Sequence, residues 1–184
     1  MEFRAVLFIV GIISNSLVIV GLLISILKPK YRIWPPPRKN SWQFIVSWIF
    51  ISLSYLSIIF LGIFDWDNFL LYHYLRFPVG GVLIIIGLGL FSWGIITLSL
   101  HSSYGLGGEF ITTGPYKFTR NPQYLGDILF FIGIIILTNS ILTLIIGIIG
   151  IIWNILTPFS EEPWLRNLYG EKYDEYCKKV RRFF

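Results

Sequence analysis

The stretch from Tyr124 to Thr157 reads YLGDILFFIGIIILTNSILTLIIGIIGIIWNILT, and its length and composition indicate how this chain folds. A helix needs about 20 apolar residues to cross ~30 Å of hydrocarbon, so the stretch is too long for one membrane span and too short for two full ones. The polar tripeptide Thr138-Asn139-Ser140 falls near its middle. We therefore predict a hairpin of two short transmembrane helices, over residues 122–137 and 141–157.

Three further apolar stretches are each long enough for one span: Ala5 to Leu27, Phe44 to Phe64, and Pro78 to Leu100. Hydrophobic residues make up 55% of the chain and charged residues 14%, whereas a soluble domain has about 25% charged residues. The first stretch lacks a basic cluster before it and a small-residue cleavage site after it, so we expect a retained span rather than a signal peptide. The prediction is an all-α integral membrane protein, a single domain over residues 1–184 with five spans.

The basic residues predict the orientation of these spans. Of the 15 Lys and Arg residues, only Arg4 and Arg76 fall on one predicted side of the membrane. Positively charged loops stay in the cytoplasm, which puts the N-terminus outside and the C-terminus inside. The net charge of +5 then reflects the basic loops on the cytoplasmic side of the membrane. We therefore expect the bilayer rather than nucleic acid as the partner. The loop 101–121 and the tail 158–184 would meet on the cytoplasmic face and form the site.

The first candidate site lies where this loop enters the fourth helix, in GLGGEFITTGPYKFTRNPQYLGD from Gly105 to Asp127. Asn121 precedes Pro122, a pair typical of an N-cap followed by the first helical residue. Arg120 adds a cation beside a helix N-terminus whose free N–H groups already favour anions. The segment therefore predicts a cradle for a carboxylate or phosphate, with a capped helix and a snorkelling arginine as the alternative.

Two other polar side chains could join that site. Asp127 lies within the fourth helix, on the same side as Tyr124. A carboxylate at that depth is costly unless it faces a polar cavity, a partner or the interface, so Asp127 is a candidate site residue. The alternative is that it lies shallow enough to be hydrated beside Arg120. His101 ends the third span and could line the site, although a helix C-terminus also suits an imidazolium without any function.

The tail supplies a pair of carboxylates, Glu161 and Glu162, directly after the candidate N-cap Ser160. Glu162 can also pair with Arg166 four residues later. Apolar and aromatic residues then recur at three- and four-residue spacing, which predicts an amphipathic cytoplasmic helix, broken at Gly170, on the membrane or on the loops. The single cysteine, Cys177, cannot form an internal disulfide and has no metal-ligand cluster beside it, so no metal site is predicted.

The ordered set TTGPYKFTRNPQYLG from Thr112 to Gly126, then Glu161-Glu162, then LYGEKYDEYCKKV resembles one group of membrane enzymes. It is similar to the small methyltransferases that include isoprenylcysteine carboxyl methyltransferases and phosphatidylethanolamine N-methyltransferases. Their pattern is R-[HN]-P-x-Y-x-G, a helical hairpin, a pair of glutamates and an aromatic tail. The resemblance covers the C-terminal part of the chain, and the first two spans match only in being hydrophobic.

The resemblance implies S-adenosylmethionine as cofactor, bound at the cytoplasmic face, and methyl transfer to a lipophilic acceptor that arrives from the bilayer. The implied cofactor-binding residues, with His101 added as a candidate, are His101, Tyr116, Arg120, Asn121, Tyr124, Gly126, Glu161 and Glu162. Arg120 would take the methionine carboxylate, and a glutamate would take the amino group or the ribose hydroxyls. Arg120 and Asp127 are the candidate catalytic residues. An acceptor carboxylate needs no base, whereas an amine would need Asp127 or Glu109 to take its proton.

Two departures from the pattern keep other functions open. Asn121 stands where many members have histidine, and Asp127 after Tyr-x-Gly resembles an element of NADPH-dependent sterol reductases. The Glu161-Glu162 pair and the short chain favour the methyltransferase. A non-enzymatic membrane scaffold is a third hypothesis. The sequence leaves open whether the acceptor is a carboxylate, an amine or another group, and it leaves the oligomeric state open as well.

Overall fold

The protein was analysed as a computed structural model that describes residues 2–69 and 73–183. Within these residues the fold is all-helical, as predicted, with six α-helices joined by loops and short turns. They are α1 (Glu2–Leu27), α2 (Trp42–Phe64), α3 (Arg76–Leu98), α4 (Pro122–Thr138), α5 (Ile141–Tyr169) and α6 (Glu171–Lys179). Helices are the expected solution in lipid, because each one satisfies its backbone hydrogen bonds internally.

The predicted break between α4 and α5 is confirmed, and its chemistry is local. Asn139 ends α4 in the left-handed region at φ 49°, a conformation that asparagine tolerates. Ser140 caps α5, since its side-chain oxygen accepts a hydrogen bond from the Thr143 backbone N–H at 3.0 Å. Two adjacent polar residues therefore end one helix and begin the next.

The tail departs from the prediction at Ser160. This residue does not begin a new helix, because α5 runs without a break to Tyr169, beyond the predicted end of the span at residue 157. The Ser160 hydroxyl instead donates to the Thr157 carbonyl oxygen at 2.8 Å inside the helix. The predicted break at Gly170 is confirmed, and its positive φ of 59° is a conformation that glycine adopts without steric cost.

Four helices, α1, α2, α3 and α5, are long and apolar enough to cross a membrane. The fourth helix in the chain, α4, is apolar but has only 17 residues, so the count of five spans remains a prediction. Large apolar side chains cover the outside of the bundle, with Ile96 80% exposed and Ile85 72% exposed. Such a surface is stable in lipid and unstable in water, which makes the chain an integral membrane protein.

Helices α3 and α4 are in backbone contact along two paired glycines. A Cβ atom placed on Gly87 would lie 2.6 Å from the Gly126 carbonyl oxygen, and one on Gly126 would lie 2.6 Å from the Gly87 carbonyl oxygen. Small residues at helix interfaces let helices approach closely in membranes. On its other side α4 packs on α5, which also packs on α1.

Polar residues gather at the end of the bundle where α4 turns into α5. Asp65 accepts hydrogen bonds from Arg4 at 3.1 Å and from the Ser140 hydroxyl at 2.6 Å. Asp67 pairs with Arg76 and accepts a hydrogen bond from Asn139. The cluster ties the start of α1 and the loop after α2 to the hairpin, so charged and polar contacts help to hold this end of the bundle.

Candidate functional site

A polar cavity lies at the opposite end of the bundle, between the loop before α4, the last turns of α5, and α6. Its lining is aromatic, with two carboxylates and one arginine among the described residues. Residues 98–111 and 116–124 form one side, and residues from Glu161 to Tyr176 form the other. The loop and the tail therefore meet, as the sequence analysis predicted.

Glu161 is the carboxylate at the inner end of this cavity. Its Oε1 atom accepts hydrogen bonds from the Tyr124 hydroxyl and from the Trp34 indole N–H, the latter at 2.8 Å. No described residue donates to Oε2, although the carboxyl group lines the cavity. A carboxylate that is fixed on one oxygen and unpaired on the other is arranged to receive a hydrogen-bond donor or a cation.

Tyrosine side chains form the wall that α6 contributes. The Tyr176 hydroxyl donates to the Tyr116 carbonyl oxygen at 2.7 Å, which joins α6 to the loop before α4. Phe110 packs edge-on against Tyr176, with ring centroids 5.7 Å apart. Burial raises the pKa of Tyr116, Tyr173 and Tyr176 above the usual value of 10.0, so all three hydroxyls stay protonated at physiological pH. The predicted tail helix therefore packs on the loops.

Glu162 stands behind the cavity rather than in it. Its carboxylate, only 5% exposed, lies 2.8 Å from the Arg120 guanidinium and is bonded by two nitrogens of Arg182 at 2.7 and 2.9 Å. The pairing with Arg166 predicted from helical spacing is the longest of these contacts, at 3.9 Å. We call Glu162, Arg120 and Arg182 the ion cluster. Because Arg120 also lines the polar cavity, the cluster fixes one part of its wall.

Asn121 occupies the N-cap position of α4, but its side chain does not cap the helix. The side-chain amide donates instead to the Arg182 carbonyl oxygen at 3.0 Å. Pro122 begins the helix, as expected, since the missing N–H of proline costs nothing at the first helical position. The predicted cap is therefore wrong in its hydrogen bond and right in its position.

A second cavity, of about 260 Å³, lies deeper among the helices and is almost entirely apolar. Its walls come from α1, α2, α3, α4 and α5 and include Phe50 of α2 and Phe91 of α3. Asp127 is the one carboxylate among its described lining residues, and that lining includes no Lys, Arg or His. Asp127 is 8% exposed, and Tyr55 lines the same cavity beside it.

The two cavities meet at three residues that line both, namely Ser103, Gln123 and Tyr124. The Gln123 side-chain amide donates to the Ser103 hydroxyl at 2.8 Å and to the Tyr116 hydroxyl at 3.1 Å. These bonds orient the first turn of α4 between a polar chamber and an apolar one. The arrangement has room for a polar ligand in one cavity and an apolar ligand in the other, next to each other beside Tyr124.

The structure brings most of the predicted site residues to this place. Lining the polar cavity are Tyr116, Arg120, Asn121, Tyr124 and Glu161, together with the alternative base Glu109. His101 and Glu162 line neither cavity, and His101 is exposed beyond the end of α3, which stops at Leu98 rather than at the predicted residue 100. Gly126 lies on the side of α4 that contacts α3. The cofactor-binding role of all these residues stays a prediction.

Two side chains at the site, Trp34 and Gln123, were not predicted from the sequence. Trp34 precedes Pro35 in the loop after α1, and the Ser25 hydroxyl holds its backbone N–H at 3.0 Å. It reaches a partner 127 residues away in the chain, and nothing in the periodicity of either segment indicates this contact. Gln123 lies inside the motif RNPQYLG, and an inward-facing amide in the first turn of a membrane helix was the available signal.

Comparison with known proteins bears on the part of the chain that forms this site. The family model described as phospholipid methyltransferase matches residues 75–172, which is more than half of the chain. The chain belongs to the phospholipid methyltransferase family. The match runs from the start of α3 into α6 and so includes the motif around Arg120 and both glutamates. It favours the resemblance to methyltransferases over that to reductases.

The chain is also similar to phosphatidylethanolamine N-methyltransferase B of Dictyostelium discoideum. It is 35% identical over 63 residues, which are 34% of this chain and 32% of that protein. This chain therefore aligns with only about a third of that relative's length. No solved structure matches the chain.

Proposed function

We propose that this phospholipid methyltransferase family protein transfers a methyl group from S-adenosylmethionine to an amine carried by a membrane lipid, at the cytoplasmic end of the bundle. The meeting of a polar and an apolar cavity at Ser103, Gln123 and Tyr124 is the observation that carries the proposal. A water-soluble methyl donor and a membrane-soluble acceptor need such a junction. The donor can stay in polar surroundings and the acceptor in apolar surroundings while their reacting atoms are brought together.

The polar cavity has the chemistry that S-adenosylmethionine requires. The unpaired Oε2 atom of Glu161 suits a donor such as an amino group or a ribose hydroxyl. Aromatic rings of Phe110, Tyr173 and Tyr176 line the same space and suit the faces of an adenine ring or a sulfonium cation. Arg120 would attract the carboxylate end, although two of its nitrogens are already engaged with Glu162 and with backbone carbonyls.

The apolar cavity favours an amine over a carboxylate as the acceptor. Its described lining holds a carboxylate, Asp127, and no cation, so an anionic acceptor would be buried without a partner. An ammonium group would find Asp127 and the rings of Tyr55 and Trp153 instead. Helices α2 and α3 flank this cavity without extended packing on each other in the described part of the chain, which leaves a route for the lipid's hydrocarbon chains.

The reaction needs a free amine and a dry junction. When bound, S-adenosylmethionine supplies a methyl group on a sulfonium, which an amine lone pair attacks while the carbon–sulfur electron pair returns to sulfur. Asp127 would take one proton from the ammonium form of the acceptor, which frees the lone pair. Tyr124 and Gln123 would hold the junction in place, and the apolar walls would exclude water from it.

Calorimetric titration of the detergent-purified protein tests the cofactor directly. We expect S-adenosylhomocysteine to bind and NADPH not to bind. A Glu161→Gln variant should bind S-adenosylhomocysteine about tenfold or more weakly, because one charge-assisted contact is lost. Binding of NADPH alone would refute the methyltransferase and support a reductase. Binding of neither ligand would refute both and support a scaffold.

A further inference from the structure

The last described residues form a strap across the entrance to α4. This C-terminal strap, Val180–Phe183, follows α6 and lies against the segment Thr119–Asn121. The Arg120 backbone N–H donates to the Arg181 carbonyl oxygen at 3.0 Å. The Thr119 hydroxyl and the Asn121 side-chain amide both donate to the Arg182 carbonyl oxygen, at 2.9 and 3.0 Å. Three consecutive residues before α4 thus hold the backbone of the strap.

Two arginine side chains hold the strap from opposite directions. Arg182 belongs to the strap and reaches back to Glu162 of α5 with two charge-assisted hydrogen bonds. Its guanidinium also lies over the ring of Phe159, 3.9 Å from the centroid. Arg120 belongs to the segment before α4 and donates to the carbonyl oxygens of Cys177 and Val180, at 3.3 and 3.2 Å. Glu162 receives both arginines, so one buried carboxylate joins α5, the loop and the strap.

This arrangement controls the position of α6. Helix α6 is only nine residues long, and it lines the polar cavity through the side chains of Tyr173 and Tyr176. Gly170, with positive φ and open space around it, separates α6 from α5 and lets the two helices hinge. With the strap engaged, α6 closes the cavity between Gly170 on one side and the ion cluster on the other.

We propose that the C-terminal strap is the latch of the polar cavity, and that Arg182 is a positioning residue that holds α6 closed over the bound ligand through Glu162. The inference rests on the proposed function for the identity of that ligand. Release of Arg182 frees the strap, lets α6 turn about Gly170, and opens the wall that carries Tyr173 and Tyr176. The Arg182 side chain contacts Glu162 and Phe159, neither of which lines the polar cavity, so we expect its loss to change ligand exchange rather than direct ligand contact.

The chain carries its own reporter and its own control. Cys177 is the only cysteine, it is half-buried in α6, and its carbonyl oxygen is one of the atoms that Arg120 holds. The neighbouring Arg181 is exposed, and its side chain has no place in the ion cluster. Arg181→Ala therefore removes the same charge from the strap without touching the latch. Arg182→Lys keeps the charge and loses the two-nitrogen geometry.

The experiment measures the rate of Cys177 modification by a thiol reagent, and S-adenosylhomocysteine binding, for the full chain in detergent. We expect Arg182→Ala to speed modification and to weaken binding about tenfold, mainly through faster dissociation. Arg181→Ala should match the unsubstituted protein, and Arg182→Lys should fall between them. Equal modification rates in Arg182→Ala and Arg181→Ala would overturn the latch.

The two proposals fail in different ways. If the unsubstituted protein does not bind S-adenosylhomocysteine, the proposed function is wrong, and the modification rates alone decide the latch. If it binds, but Arg182→Ala binds equally well and dissociates at the same rate, the function stands and the latch is wrong. A slower modification of Cys177 when S-adenosylhomocysteine is present would support both.

Discussion

A single methyl group on Gly87 should separate α3 from α4. The Cβ atom of Gly87→Ala would lie 2.6 Å from the Gly126 carbonyl oxygen and 2.7 Å from the Phe130 backbone nitrogen, where ordinary contacts are 3.4–4 Å. Both neighbours are backbone atoms of α4, so no side-chain rotation relieves the clash, and the helices must part by about 1 Å. Overpacking of this kind costs about 1–3 kcal/mol. For a chain of this size each kcal/mol lowers the unfolding midpoint by about 2–4 °C.

The assay is thermal unfolding in detergent followed by tryptophan fluorescence, with Gly89→Ala as the matched control. A Cβ atom on Gly89 would meet nothing within 4 Å, so the same substitution two residues away on the same helix should leave the midpoint unchanged or raise it. We expect Gly87→Ala and Gly126→Ala to unfold about 2–12 °C earlier than Gly89→Ala. Equal midpoints for Gly87→Ala and Gly89→Ala would refute the backbone contact between α3 and α4.

Three further predictions address the site and the opposite end of the bundle. Asp127→Asn should lower kcat by about 10²–10⁴ through loss of the proton acceptor, with unchanged S-adenosylhomocysteine affinity in calorimetry. Trp34→Phe should weaken that affinity, because Glu161 loses one of its two fixing hydrogen bonds, and unchanged binding would contradict this role. The hydrogen bond from Arg76 lowers the pKa of Asp67 below 3.8, so its stabilising contribution is lost as pH falls through that lowered pKa. Asp67→Asn should flatten the fall of the unfolding midpoint between about pH 5 and pH 2, and an unchanged slope would contradict the assignment.

The sequence predicted those features whose cause is local. The tripeptide Thr138-Asn139-Ser140 ends α4 and caps α5 by interactions within a few residues, so its composition was sufficient to locate the turn. Gly170 broke the tail helix for the same reason. Ser160 was misread, because a serine before two glutamates looks like an N-cap, whereas its hydroxyl bonds to the Thr157 carbonyl oxygen inside a continuous helix.

The sequence could not predict contacts between distant segments. Helical spacing pointed Glu162 at Arg166, yet the short contacts come from Arg120 and Arg182, which the fold brings from two other segments. Trp34 reaches Glu161 from the loop after α1 by the same kind of long-range contact. The motif around Arg120 did mark a segment that lines the polar cavity, because several cavity-lining side chains fall within one short stretch there. What it could not indicate was that one carboxylate faces the cavity and the next faces the ion cluster.

The most direct measurement is methyl transfer itself, with purified protein in liposomes that contain a lipid with a primary amine headgroup. S-adenosylmethionine with a labelled methyl group is added from the water phase, and label is counted in the extracted lipid. We expect label in the amine lipid for the unsubstituted protein and a loss of at least about 10²-fold for Asp127→Asn. Label that instead enters a lipid-linked carboxylate, or equal transfer by Asp127→Asn, would contradict this expectation.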